Sequence, residues 1–317
     1  MIARLGVYGR PNFLPFFSVV IPTYNRASLL RAALGSVLQQ TYTDFEVIVV
    51  DNGSTDNTRA YVLTEEDSRI RYIYQEGSGS PASPRNHGIR EARGEWVTFL
   101  DSDDTWRGRK LQTLRRALDS QQGDFVAHRQ ELLNAQGKRT GSMGPRQEHL
   151  TYEKLLLTEN TIATSSVAVR RQFLSTHNLF FNESERFAAV EDYDLWLRIL
   201  AAGGRSLVID QVLGANREVG DHMGMPSLFF QNLHHLYSEH AWAVQNFTDH
   251  NKQLENRLFA GIALRMSMIE VRQRRWLRAG KRLGRAARLC PTEILRYAAL
   301  RFHQRCNPAS EQLIEPE

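Results

Sequence analysis

Three carboxylates, Asp101, Asp103 and Asp104, crowd into four residues directly after the apolar run Trp96-Val97-Thr98-Phe99-Leu100. The aromatic and β-branched residues of that run suit a covered strand. The acids then sit at its C-terminal end, where open α/β sheets bind ligands. Such a run repels itself unless a cation or a hydrogen-bond network neutralises it. Hard oxygen ligands beside open space suit Mn²⁺ or Mg²⁺, with phosphate and water completing the shell. A plainer reading makes Asp103 or Asp104 the cap of a helix from Trp106, but three acids exceed what a cap needs. A second acidic pair, Glu191-Asp192, precedes Leu195, Ile199 and Ala202 at helical spacing, with Trp196 beside them. Taken alone, that pair reads as dipole compensation at a helix N-terminus.

The elements that carry these acids alternate at short intervals. A strand over Phe16 to Ile21, stopped by Pro22, leads through Pro22-Thr23-Tyr24-Asn25 into a helix reaching about Gln40. Phe45 to Val50 is a near-continuous apolar run, as expected of a parallel strand covered on both faces. It ends in Asp51-Asn52-Gly53-Ser54-Thr55-Asp56, where Gly53 permits the turn and a following hydroxyl or acid caps a helix. A third strand is expected over Ile70 to Tyr74, a helix from Pro84 to Ala92, and then the strand that delivers Asp101. The alternation predicts a Rossmann-like α/β fold with right-handed crossovers, its loops after Ile21, Val50 and Leu100 opening on one sheet edge. No Gly-x-Gly-x-x-Gly or Walker lysine motif follows the first strand, so a dinucleotide site is not supported. Further on, Arg107 to Ser120 reads as a helix, Asn134 to His149 as a loop or hairpin, and Leu207 to Asp210 and Val212 to Ala215 as two strands.

Length and composition set outer limits. The 317 residues, 42% hydrophobic and 24% charged, fit an ordinary globular chain of one large or two modest domains. No run of about 18 apolar residues spans a membrane, and the apolar stretch from Phe13 runs into a strand without a cleavage site. Cys290 and Cys306 make no disulfide framework or metal spacing, so a reducing, cytoplasmic setting is the default.

Four stretches, taken in order, resemble the motifs of the family 2 glycosyltransferases. They are Ser18-Val19-Val20-Ile21-Pro22-Thr23-Tyr24-Asn25-Arg26, Val47-Ile48-Val49-Val50-Asp51-Asn52-Gly53-Ser54-Thr55-Asp56, Arg85-Asn86-His87-Gly88-Ile89 and Phe99-Leu100-Asp101-Ser102-Asp103-Asp104. The likeness covers roughly residues 17 to 215 and is specific for family, much less so for substrate. It implies a GT-A fold, a mixed, mostly parallel sheet flanked by helices, over residues 16–222. Residues 1–15 would be an extension and 223–317 a C-terminal helical region.

The resemblance also implies roles. Glu191-Asp192 is similar to the family's Glu-Asp motif, making Asp192 the base that takes the acceptor's proton in an inverting displacement. Donor contacts would come from Pro22, Thr23, Tyr24, Arg26, Asp51, Gly53, Ser54, Arg85, Asn86, Asp101, Ser102 and Arg217. Of these, Thr23 and Tyr24 would lie along base and ribose, and Asp51 would accept the base N–H, which favours a UDP-sugar. Asp103 would bind Mn²⁺ or Mg²⁺ with Asp104 in support; His222 is a further candidate, although the family's spacing after Arg217 puts Val219 at the expected position. Ser165, Ser166, Glu191 and Trp196 would face the acceptor, a glycan or lipid-linked hydroxyl in envelope polysaccharide synthesis. A non-catalytic nucleotide-sugar-binding scaffold is the alternative. A nucleotidyltransferase would need a Gly-rich triphosphate loop, and Pro22-Thr23-Tyr24-Asn25 is not one.

From Leu228 onward only helices are expected, with Phe229, Leu233, Leu236, Tyr237, Ala241 and Val244 along one seam. The last part, from Val271 to Arg305, is rich in arginine and poor in acids. It reads either as a solvated basic face or as a peripheral contact with the anionic inner face of the cell membrane. Nucleic acid is not favoured, since no recognition module accompanies the charge.

Overall fold

The computed structural model describes residues 14–158, 160–217, 226–243 and 251–296. The expectations for residues 1–13, Val219, His222, Val244, Arg301 and Arg305 lie outside these. The first half alternates as the sequence predicts: β1 (Phe17–Thr23), α1 (Ala27–Leu38), β2 (Phe45–Asn52), α2 (Thr58–Thr64), β3 (Ile70–Gln75), α3 (Ala82–Glu91) and β4 (Trp96–Phe99). There follow β5 (Thr105–Trp106), α4 (Lys110–Ser120), β6 (Phe125–Leu133), β7 (Arg139–Met143), α5 (Tyr152–Leu157), β8 (Val167–Arg170), α6 (Arg171–Thr176), α7 (Glu191–Ala201) and β9 (Ser206–Arg217). Three helices end the described chain: α8 (Pro226–Ala243), α9 (Asn251–Arg272) and α10 (Trp276–Leu289). No helix among the described residues is long and apolar enough to cross a membrane.

The strands form one mixed sheet in the order β3-β2-β1-β4-β8-β6-β9-β5, with β7 paired to β6. Strands β1, β2, β3, β4, β6 and β9 run one way, and β5, β7 and β8 run against them. The chain moves outward from β1 to β2 and β3, then returns to β4 on the other side of β1. That reversal opens a crevice at the carboxyl ends of β1 and β4, where the strand ends carrying Thr23 and Asp51 lie beside the loop that holds Asp101.

Both faces of the sheet are covered, and β1, β2 and β4 are buried along their whole length. Val19 and Ile21 pack with Leu30, Leu34 and Val37 of α1 on one side. Val20, Phe99 and Phe125 pack with Trp196 of α7 on the other. This second core continues without a break into Leu233, Leu236 and Tyr237 of α8 and Leu258 of α9. Helices α8 and α9 therefore share the core of the sheet, while α10 packs on α9 in a separate small cluster.

Several boundaries differ from expectation for physical reasons. β1 runs through Pro22 to Thr23. The Val20 carbonyl accepts from Leu100 N on the β4 side at 3.0 Å. Pro22, two residues on, faces the same way beyond the end of β4, where no donor is needed. Helix α4 begins at Lys110 rather than Arg107, because Thr105 and Trp106 pair with Ala215 and Gly214 of β9. The two strands expected over Leu207 to Ala215 are one long strand with register shifts against β6. The expected loop or hairpin after Asn134 is the β6–β7 hairpin.

Candidate active site

The first two loops are tied together before any ligand is considered. Asn25, in the left-handed region at φ 49°, accepts from Thr55 N at 2.8 Å, and its own N–H donates to Ser54 Oγ at 2.9 Å. Asp56 accepts from Ala27 N at 3.0 Å at the start of α1. Gly53 sits at φ +86°, and a Cβ there would meet Gly77 N at 2.7 Å, so both the turn and the close approach need glycine. Asn52 accepts from Gln75 Nε2 at 2.8 Å and from Ser78 N at 3.1 Å, which holds the following loop against this turn.

Asp51 is enclosed, at 0% exposure. One of its oxygens accepts from Ser54 N at 2.8 Å and the other from the Tyr72 phenol at 2.6 Å. Burial and this contact with Asp51 raise the Tyr72 hydroxyl above its ordinary range, so it remains a donor. Asp51 therefore fixes the turn, and each of its oxygens keeps a second acceptor site beyond these bonds. Thr23 and Tyr24 stand differently. The Thr23 hydroxyl is buried without a hydrogen-bond partner among the described residues, and the Tyr24 ring is 56% exposed.

Across the crevice, Arg26 donates to Asp103 at 2.6 Å, joining the first loop to the acidic one. Asp104 is turned inward. Its oxygens accept from Arg217 N and Asn216 Nδ2, each at 3.1 Å, and so fasten the end of β9. Burial, reinforced by the charges of Asp101 and Asp103, pushes its carboxyl up to about 8. The helix-cap reading fails, since α4 starts later at Lys110 and neither acid caps it. The loop is supported from below by Ser165, whose Oγ accepts from Asp101 N at 2.9 Å. The Ser165 carbonyl accepts from Trp106 Nε1 at 3.0 Å and from the buried Lys110 Nζ at 2.8 Å.

Arg85 is the hub of the site. From α3 it donates to Asp101 at 2.7 Å and to Glu191 at 2.9 Å, with 6% of its side chain exposed. It thus bridges the acidic loop and the start of α7. Glu191 is 5% exposed, and its second oxygen is buried with no hydrogen-bond partner among the described residues. Asp192, next to it, accepts from Thr164 Oγ1 at 3.3 Å and from Tyr193 N at 2.6 Å. Burial and the neighbouring Glu191 charge push its carboxyl up to about 7, against the pull of Arg85. A carboxyl so placed titrates in the range where a proton acceptor is useful.

Other expected contacts are corrected by burial. Trp196, at 0% exposure, packs between Phe99, Phe125 and Phe181 and cannot face an acceptor. Ser165 and Ser166 are enclosed; Ser166 Oγ donates to the Ala163 carbonyl at 2.7 Å. Asn86 clamps the segment before α7, donating to Phe181 O and Glu183 and accepting from Phe181 N at 2.8 Å. Ser102 is buried in the acidic turn, and Pro22 lies inside β1. Sequence reasoning missed Tyr72 and Asn216. Each meets its carboxylate from a distant part of the chain, and no local pattern marks it.

With this geometry, a family match becomes decisive. The family model described as Glycosyl transferase family 2 matches residues 18–177, half of the chain. The chain is a family 2 glycosyltransferase. This glycosyltransferase is 34% identical over 183 residues to the UDP-Glc:alpha-D-GlcNAc-diphosphoundecaprenol beta-1,3-glucosyltransferase WfgD of Escherichia coli, covering 58% of this chain and 69% of that protein. Among solved structures it is similar to S. aureus TarS 1–349 in complex with UDP-GlcNAc, at a TM-score of 0.63 and 22% identity over 86% of this chain and 82% of that one. It is also similar to the mannosyltransferase PcManGT from Pyrobaculum calidifontis in complex with GDP-Man and Mn²⁺, at a TM-score of 0.56 and 21% identity over 91% and 81% of the two chains. The glycosyltransferase thus has the GT-A fold.

Proposed function

We propose that this glycosyltransferase moves a sugar from a nucleoside diphosphate, UDP favoured, to a hydroxyl of a glycan or lipid-linked acceptor in envelope polysaccharide synthesis. The observation that carries the reading is the Asp101–Arg85–Glu191 bridge beside Asp192. Burial and the Glu191 charge push the Asp192 carboxyl up to about 7, against the pull of Arg85, beside a crevice built from three loops. The substrates in the name of WfgD and the ligand bound to TarS support a UDP-sugar and, for WfgD, a lipid-linked acceptor.

The Tyr24 ring would stack on the base, with the unpaired Thr23 hydroxyl near the ribose. Arg26 and Arg217 would face the diphosphate, and Asp101 the hydroxyls of ribose or sugar. Among the described residues no group of three metal-ligating side chains is brought together, so a hard divalent ion at the acidic loop would draw most of its shell from phosphate and water. Asp103 would hold it, with Asp104 bracing the loop from behind, although Asp103 already pairs with Arg26. When bound, Mn²⁺ or Mg²⁺ supplies neutralisation of the departing diphosphate. Asp192 would take the acceptor's proton as its oxygen attacks the anomeric carbon from the face opposite the diphosphate. A single displacement of this kind inverts the configuration.

The testing experiment is a thermal-shift screen of nucleotide sugars with Mn²⁺, followed by transfer assays with the ligands found. Ligands that bind the native state raise its apparent stability. Stabilisation by UDP-sugars together with turnover supports the reading. Binding without hydrolysis or transfer favours the scaffold, and no stabilisation by any nucleotide sugar refutes both.

A further inference from the structure

Helix α10 has three kinds of surroundings. Its inner side lies on α9: Ala279 and Ala286 are buried, Ser267 Oγ donates to the Ala279 carbonyl at 3.0 Å, and Arg275 reaches Glu270 at 2.6 Å. Steps of about 100° per residue then place Leu283, Trp276 and Ala287 along one outer flank. The same steps place Arg288, Lys281, Arg285 and Arg278 along the other, with Leu277 between the two. Trp276 is 64% exposed and Leu277 87%, and Leu295, just past the helix, is 73%. Solitary exposed apolar residues need no explanation, but a tryptophan and leucines clustered on one short helix do.

The charge on this stretch is one-sided. From Val271 to Arg296 stand Arg272, Arg274, Arg275, Arg278, Lys281, Arg282, Arg285, Arg288 and Arg296 against the single acid Glu293. Glu270 engages Arg275 and Arg282, and Glu293 engages Arg257 and Arg296. Arg274, Arg278, Lys281, Arg285 and Arg288 make no ion pair among the described residues.

We infer that this outer face of α10 is a docking surface for an anionic lipid leaflet. Headgroup phosphates would take the cations, while Trp276, Leu277 and Leu283 enter the boundary between headgroups and acyl chains. Two other occupants fit less well. A second copy meeting this face across a two-fold axis would set cations against cations. A nucleic acid would satisfy the arginines but leave the leucines in water. The inference stands on α10 and does not depend on the transfer reaction.

The experiment sediments the full chain with vesicles of phosphatidylcholine containing phosphatidylglycerol, and with vesicles of phosphatidylcholine alone. One variant carries Trp276→Ser and Leu277→Ser; another carries Arg278→Glu, Lys281→Glu and Arg285→Glu. All five positions are exposed, so melting temperatures should stay at the wild-type value, and Leu277→Ser alone serves if the pair melts lower. The wild type should bind the anionic vesicles, and binding should weaken with salt. Each variant should bind about tenfold or more weakly. The inference is overturned if the wild type does not prefer anionic vesicles. It is overturned too if the serine variants bind like wild type, which marks a plain polyanion site. Concentration-dependent self-association without lipid that the charge reversal abolishes would equally overturn it, in favour of a dimer face.

Discussion

Arg85 and Glu191 stand 106 residues apart in the chain, yet the guanidinium of the first donates to the carboxylate of the second at 2.9 Å in a nearly closed setting. Removing one member of such a pair leaves the other buried and unpaired. Arg85→Met should therefore lower the free energy of unfolding by about 3–5 kcal/mol. Urea unfolding measures this. In the double variant with Glu191→Leu much of the loss should return, and a loss equal to the sum of the two single changes would mean that the pair is not coupled.

Asp192→Asn keeps the size of the side chain and removes its proton acceptor. Transfer should fall by roughly 10²–10⁴-fold, the usual contribution of a positioned base, while UDP affinity measured by calorimetry stays within a few-fold. In the wild type, kcat/KM should rise with pH through about 7, because only the ionised carboxyl can accept the proton. A flat profile between pH 6 and 8 would move the base elsewhere.

The same carboxyl carries a stability prediction of opposite sense. Its folded pKa, about 7, lies above the ordinary carboxylate value. Its contribution to folding is therefore full below the unfolded pKa and is lost as pH rises through about 7. Asp192→Asn should consequently melt a few degrees above wild type at pH 8, and the gap should shrink as pH falls toward 5. Equal melting temperatures at both pH values would show that the buried charge costs little.

Asp103→Ala should remove the Mn²⁺-dependent part of UDP binding, while Asp104→Asn, which loosens the end of β9, should lower stability as well. Calorimetry with and without chelator separates the two. Unchanged Mn²⁺ dependence in Asp103→Ala would dismiss the assignment of that residue.

Asp194 lies two residues along α7 from Asp192 and points another way. It is 3% exposed, accepts from Arg198 at 2.6 Å and lies 3.0 Å from His240 Nε2. Against the pull of burial, these two partners hold its carboxyl below the usual range. Its contribution is thus present above the unfolded pKa and lost as pH falls through the folded value. Asp194→Asn should reduce stability at pH 7 by about 1–3 kcal/mol while the folded fraction retains most of its turnover. Turnover lost as fully as in Asp192→Asn would make Asp194 part of the chemistry.

These residues show where a single sequence speaks and where it falls silent. Alternating runs placed β1, β2 and β4, and with them the three loops of the crevice, because both the covered strands and their polar ends are local patterns. Helical spacing set Glu191 and Asp192 in the first turn of α7. It could not say that Trp196, on the same helix, would be enclosed from every side, since periodicity marks one buried face and not what covers the others. Asp51 is the plainest case. A carboxylate at a strand end suggests a ligand, but its partner Tyr72 lies one strand away, and only the register of β2 against β3 brings them together. Asn86 likewise clamps Phe181, 95 residues downstream.

The chain of contacts from Tyr152 through His240 to Asp194 has a bearing on how this enzyme could be recombined with its relatives. Tyr152 of α5 lies 2.9 Å from His240 Nδ1, and the opposite ring nitrogen lies against the helix that carries Asp192. A graft joined after β9, intended to exchange acceptor preference, would part an imidazole from both of its companions. The exchangeable unit is therefore not the tail alone. It is α5, α7 and α8 taken as a set, and a hybrid that keeps those three from one parent should fold where the simpler splice does not.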